Sequence, residues 1–328
     1  MKTDSKIMTD DVYAHGKSKV SLLFILVLQQ ILGALTFPIA KYGLAIIEPF
    51  TFAFYRFVLS ALVLLGVTRL RSRTPPIEKK DYWKIIGLGF LIIPFNQTAY
   101  LYGQRLTGAG HGALLFATVP IWIFLGGLLY LKEKFVPRRA IGVVLGLIGV
   151  TVIMTSGAIE LGSEYLLGDV IILIAVLAWS AFTILGRPLV LKYGAFRITA
   201  YALASGSAMY FPFGLYRAFI FDYSTATLGA WLTVVYAALG VSVAAYVLWC
   251  WLLKYMEATK IAVFHNLQPV VASGVAFIFL NEPIGWPFII GGIVVLTGVI
   301  ITDPSASGAT RRFGPLKASL TEPMQQKM

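Results

Sequence analysis

The side chains able to do chemistry in this chain sit inside long apolar runs, and they are amides, hydroxyls and aromatic rings. Gln29, Gln30 and Thr36 fall in the first run. Gln29 and Thr36 are seven residues apart, which puts them on one helix face with Gly33 between them. Asn96, Gln97, Tyr100 and Gln104 fall in the third run, where 96, 100 and 104 form one stripe. Trp179, Ser180 and Thr183 belong to the sixth run, and Tyr246, Trp249 and Trp251 to the eighth. His265, Asn266 and Gln268 stand in the ninth, just before Pro269. Groups of this kind recognise a small ligand reversibly, because amides and hydroxyls hydrogen-bond it and rings enclose its apolar part. They are not an acid–base set. Glu48, Glu133, Asp169, Glu257 and Glu282 all lie at the ends of runs, so no carboxylate stands near a middle. No His-rich or Cys-rich spacing offers a metal site, and no cofactor is implied.

Some residues admit two readings. His265 can contact a ligand, relay a proton, or hydrogen-bond a neighbouring helix. Pro120 and Pro269 each remove a backbone hydrogen bond and kink a helix, which makes both candidate hinges. Arg56, in FAFYRFV, either reaches outward past its helix or faces inward to hold a carboxylate. Glu133 and Glu282 read as structural acids, each favouring the N-terminus of the helix that follows it. Ser205-Gly206 with His265 evokes an intramembrane serine–histidine dyad, but neither residue lies in a strained turn or a base–orienter motif.

The elements that position these residues are membrane spans. Hydrophobic residues make up 58% of the chain, charged residues 13%, and the mean hydropathy is +0.80. A bilayer core needs roughly 20 helical residues. Ten runs approach that length: 20–40, 50–68, 85–104, 111–131, 140–157, 168–186, 198–220, 228–252, 261–280 and 284–302. Polar groups within such runs are costly unless they face a cavity or a partner, so the residues above mark an interior. The net charge of +12 does not point to nucleic acid, because it follows loop parity. With the N-terminus in the cytoplasm, 23 of the 27 Lys and Arg fall on the cytoplasmic side. Lys41, Arg105 and Arg217 fall outside, and Arg56 within span two. Both termini are therefore expected in the cytoplasm. The single cysteine, Cys250, excludes a disulfide framework, and the first run has no small-residue cleavage site after it.

The chain also repeats itself. Residues 96–150 align with 245–299 at a constant offset of 149, without a gap. Pro120 falls on Pro269, Glu133 on Glu282, Gly142 on Gly291 and Gly149 on Gly298. Lys41-Tyr42-Gly43 echoes Lys192-Tyr193-Gly194. Ten spans in two copies give five each, an odd number, so the copies lie upside down to one another. Gln97 maps to Tyr246, Tyr100 to Trp249, Gln29 to Ser180, and His265 to Phe116. The polar lining is thus paired across the halves but chemically asymmetric. The expected organisation is a disordered cytoplasmic tail over 1–19, five-helix repeats over 20–160 and 161–302, and a second disordered tail over 303–328.

The stretch GALLFATVPIWIFLGGLLYLKEK resembles the fourth span of EamA-type members of the drug/metabolite transporter superfamily. AAYVLWCWLLKYMEATKIAVFHNLQPVVASGVAFIFLNEP resembles spans eight and nine, and GALTFPIAKYG fits the first-helix pattern except for Leu32, where a Trp is usual. The resemblance implies an all-α polytopic membrane protein of ten transmembrane helices in two inverted-topology five-helix repeats. It also implies a central cavity and the export or exchange of small metabolites.

The residues thus predict an alternating-access exporter with one site between the halves. Neutral or zwitterionic compounds such as amino acids fit an interior without acids. The expected partners are a small-molecule substrate and membrane lipids, with no nucleic acid. The oligomeric state is open, a monomer being compatible. A lipid or drug translocator of the same fold is the nearest alternative, and an intramembrane serine protease a remote one.

Overall fold

A computed structural model describes residues 19–70, 76–106, 109–154, 165–280 and 285–302. Both predicted tails, the join near residue 160 and Glu282 lie outside the described residues. Among the described residues the structure is helical, and its helices form ten rods. Span one is α1 (Lys19–Ala34) with α2 (Thr36–Leu44), and span two is α3 (Pro49–Leu70). Span three is α4 (Lys79–Phe90), a π-helical segment Leu91–Phe95 and α5 (Asn96–Leu106). Span four is α6 (Ala109–Phe116) with α7 (Val119–Leu129), and span five is α8 (Pro137–Met154). Spans six and seven are α9 (Leu166–Tyr193) and α10 (Ala195–Phe219). Span eight is α11 (Leu228–Tyr236), a π-segment Ala237–Ala245 and α12 (Tyr246–Tyr255). Span nine is α13 (Ala258–His265) with α14 (Leu267–Leu280), and span ten is α15 (Trp286–Thr302). Spans two, three, six and eight are each long and apolar enough to cross a bilayer unaided. Large apolar side chains such as Leu62, Leu129, Phe219 and Trp286 point out of the bundle, as a hydrocarbon surround permits and water does not.

The inverted symmetry is visible where span five meets span ten. These are equivalent helices, and they pack antiparallel through equivalent glycines. A Cβ on Gly142 would come within 2.7 Å of the Gly298 carbonyl, and one on Gly149 within 2.7 Å of the Gly291 carbonyl. The pairing swaps the repeat partners, so a two-fold axis runs through this contact. Spans two and seven, also equivalents, cross antiparallel: the Ser207 hydroxyl donates to the Phe57 carbonyl at 2.9 Å and the Tyr210 hydroxyl to the Phe50 carbonyl at 3.2 Å. Two equivalent helices that run antiparallel belong to copies that are upside down.

The irregularities are repeated too. At the offset of 149, Leu91–Phe95 falls on residues 240–244, inside the second π-segment. Pro94 lies in the first, but its counterpart is Val243, so proline is not what opens the turn. Spans four and nine break at equivalent places, after Phe116 and after His265, just ahead of Pro120 and Pro269. The echoed Lys-Tyr-Gly motif needs its glycine for two different reasons. Gly194 joins α9 to α10 alone, at φ 87°, where a Cβ is strained. Gly43 lets α2 approach Thr233 of α11.

The main apolar core lies where spans two, three, six, seven, eight and nine meet, around Phe57, Ile93, Ile172, Leu203 and Trp249. Trp179 and Trp249 of the predicted site belong to this core.

Candidate functional site

Five of the predicted residues come together. The Trp179 ring is 5.4 Å from Tyr246 and 5.6 Å from Trp249. Trp249 meets His265 edge-on at 6.0 Å and donates its indole N–H to the Thr183 hydroxyl at 3.2 Å. Spans six, eight and nine therefore build one aromatic wall. Each span delivers its ring from a helix that is straight locally: Trp179 and Thr183 stand one turn apart on α9, Tyr246 and Trp249 open α12 just after its π-segment, and His265 ends α13 at the break before Pro269. Trp179 Nε1 and His265 Nδ1 are buried in this wall with no hydrogen-bond partner among the described residues. Such atoms are rare, because an unpaired buried donor or acceptor is costly.

A second group is a chain of amides between spans one and nine. Gln268 donates to the Gln30 oxygen at 3.0 Å, and Gln30 donates to the Gln29 oxygen at 2.7 Å. Gly33 makes room for it: a Cβ there would meet the Gln268 amide nitrogen at 2.5 Å. All three amides are buried.

The remaining candidates are placed apart. Asn96 donates to the Ala175 carbonyl at 2.7 Å and so fastens span three to span six. Tyr100 packs edge-on against Phe116 at 5.2 Å. Thr36 donates to the Leu32 carbonyl in its own span at 3.3 Å. Leu35 is a one-residue irregularity in span one, but the i→i−4 bonds Leu35 N–H to the Ile31 carbonyl, 2.9 Å, and Ile39 N–H to the Leu35 carbonyl, 3.2 Å, carry the helix through it. Ser205 donates to the Ala202 carbonyl at 3.1 Å, and no hydrogen bond joins it to His265 among the described residues.

Arg56 faces inward. Its Nε donates to the Ser242 hydroxyl in the second π-segment at 2.8 Å, next to the Tyr246 end of the aromatic wall.

The sequence model of the EamA-like transporter family matches residues 20–155 and again 166–302. The chain belongs to the EamA-like transporter family. It is 31% identical to an uncharacterized transporter of Archaeoglobus fulgidus, over 87% of this chain and 97% of that one. It is 30% identical to the uncharacterized transporter YetK of Bacillus subtilis, over 75% and 76%. A probable terminal-alkyne amino-acid exporter of Streptantibioticus cattleyicolor matches at 25% identity, over 75% of this chain and 79% of that one. A solved crystal structure shares the fold at a TM-score of 0.73 and 19% identity, covering 88% of this chain and 98% of its own. The protein is thus an integral, multi-pass membrane transporter of EamA type.

In this EamA-type bundle the ends are closed by ion pairs between the halves. At one end Glu133 accepts from Arg187 at 2.7 Å, from the Ala258 amide at 2.9 Å and from the Thr259 hydroxyl at 2.8 Å. Arg139 pairs there with Glu257, and Asp81 with Lys192 at 2.8 Å. At the opposite end Arg217 meets Glu48 at 3.0 Å, and Glu48 also caps the Thr51 amide. Glu133 is structural, but the helix start it serves is α13 of the other half, not the α8 that follows it in sequence. Only the spatial meeting of spans four, six and nine reveals that. The π-segments and the inward turn of Arg56 likewise carry no signature in residue type, apart from the proline at 94.

Proposed function

We propose that this protein is an alternating-access carrier that exports or exchanges small neutral or zwitterionic metabolites, amino acids foremost. One observation carries the reading. The Trp179–Tyr246–Trp249–His265 wall leaves two buried polar nitrogens without a hydrogen-bond partner among the described residues, beside the junction of the two halves. A ligand placed against it would satisfy those atoms and lay its apolar part on the rings. The amino-acid exporter among the relatives supports the substrate class. The amides of Gln29, Gln30 and Gln268 extend the lining toward span one.

Transport follows from the two-fold arrangement. Rocking of one half on the other about the span five–ten and span two–seven contacts opens one end as the other closes. The helix breaks ahead of Pro120 and Pro269 are the hinges, because their freed carbonyls tolerate bending. The lysine and arginine distribution supports a cytoplasmic Glu133 end and cytoplasmic termini. No covalent chemistry is required of any residue. The carrier works with a small-molecule substrate in a lipid surround, without nucleic acid, and its oligomeric state is open, a monomer being compatible.

Counterflow in proteoliposomes with a panel of amino acids, comparing wild type with His265→Ala, tests this. Saturable exchange that is lost in the variant supports the carrier and places His265 at the site. Exchange that survives makes His265 a packing residue. No exchange of any amino acid, with exchange of a drug or flipping of a lipid instead, would favour the translocator reading of the same fold.

A further inference from the structure

The interior holds a guanidinium that no carboxylate neutralises among the described residues. Arg56 bonds the Ser242 hydroxyl at 2.8 Å, lies beside the Tyr246 hydroxyl, and sits 4.9 Å from the Phe57 ring centroid. All three neighbours are uncharged. The contrast with other arginines is sharp: Arg139 faces Glu257, Arg187 faces Glu133 and Arg217 faces Glu48. A charge kept inside a membrane bundle without a counter-ion is expensive and marks a ligand path. Ser242 and Tyr246 hold the head of Arg56 in place without cancelling its charge.

Tyr246 connects this cation to the aromatic wall, through Trp179 to Trp249 and His265. The arrangement has a head and a tail. A guanidinium binds a carboxylate through two parallel hydrogen bonds, and the rings accept an apolar or aromatic group. It presents no carboxylate to an ammonium group among the described residues, leaving only the ring faces for it. The described acids nearest the bundle ends are already engaged, Glu133 with Arg187, Glu257 with Arg139, Glu48 with Arg217 and Asp81 with Lys192.

We infer that Arg56 is the carboxylate-binding residue of the transport site, and that the site selects small monocarboxylates carrying an apolar or aromatic group by their acid rather than by any amine. α-Amino acids belong to this class, but so do acids that lack the amine. The inference rests on the carrier reading above and widens its substrates from neutral and zwitterionic compounds to anionic monocarboxylates.

The test is counterflow with the full chain in proteoliposomes, using three probes with one phenyl tail. They are L-phenylalanine, 3-phenylpropionate, which lacks the amine, and L-phenylalaninamide, which lacks the carboxylate. The two acids are expected to exchange, and the amide to exchange at least about tenfold more slowly. Arg56→Gln is expected to lower exchange of both acids at least about tenfold, and Arg56→Lys to restore only part of it, since charge returns without the two-point geometry. Gel filtration establishes that each variant is folded, and the wild-type comparison needs no variant at all. An amide that exchanges as well as the acids overturns the assignment of Arg56 and leaves the carrier standing. So does a folded Arg56→Gln with undiminished exchange, or a wild type that exchanges panel compounds but neither phenyl acid. A wild type that exchanges nothing in either experiment overturns the carrier reading itself.

Discussion

Glu133 opens the connection between spans four and five, yet both of its oxygens are engaged by spans six and nine. Its side chain is 3% exposed, and Arg187 beside it 18%. Removing one member of such a buried pair leaves the other charge uncompensated, at a cost of about 3 kcal/mol. Glu133→Gln keeps the shape and an acceptor for Thr259 but not the charge. It is expected to lower the unfolding temperature in detergent by roughly 5–10 °C, while Lys134→Gln, on an exposed neighbour, leaves it unchanged. A Glu133→Gln protein as stable as wild type would show that Arg187 does not depend on this acid. The residue types of the site were legible, because polar groups in apolar runs are few and each needs a reason. Their partners were not. Asn96 and Gln268 are both buried amides, and nothing in the chain tells that one ties off a backbone carbonyl and the other enters an amide chain.

Span ends were legible to within a few residues, since hydropathy and charge change abruptly at a bilayer boundary. Span six was read as 168–186 and extends over Leu166–Tyr193, because Arg187 and Lys192 find acids at the bundle end. What happens inside a span was less legible. The π-segment of span eight arises without a proline. Glycine illustrates the same limit. Gly149 of α8 abuts the Gly291 carbonyl and Val295 of α15, so a Cβ would stand at 2.7 Å from both. Gly66 of α3 has open space around its Cβ position. Both look alike as glycines in apolar helices. Gly149→Ala is expected to destabilise by about 1–3 kcal/mol through forced separation of spans five and ten. Gly66→Ala should be neutral or stabilising, because only helix propensity changes. Thermal unfolding of the two variants side by side decides it; equal behaviour would mean that the span five–ten contact yields without cost.

At the scale of the whole molecule the repeat is the most legible feature, because an odd number of spans per copy dictates the inverted arrangement. The asymmetry between the two ends is not, because it depends on which charges meet. At the Glu133 end four pairs tie the halves: Asp81–Lys192, Glu78–Lys192, Glu133–Arg187 and Glu257–Arg139. At the other end the described tie is Glu48–Arg217. Alternating access requires these ties to break in turn, so the end with fewer should open more readily when one is removed. The single cysteine makes this measurable. On a Cys250→Ala background, Ser242→Cys places a thiol beside Arg56, at a position fully buried between spans two and eight. A membrane-impermeant maleimide is then applied from each side of the vesicle. Glu48→Gln should raise labelling from the Glu48 end several-fold, since Arg217 loses its partner. Asp81→Asn alone should change labelling from the Glu133 end much less, because Glu78–Lys192, Glu133–Arg187 and Glu257–Arg139 remain there. Labelling that rises from the Glu133 end on loss of Glu48 would fit a different motion, in which the Glu48–Arg217 pair holds the opposite gate. No change from either side would reduce all five pairs to static packing, and the two-fold axis would then describe how the protein folds but not how it moves.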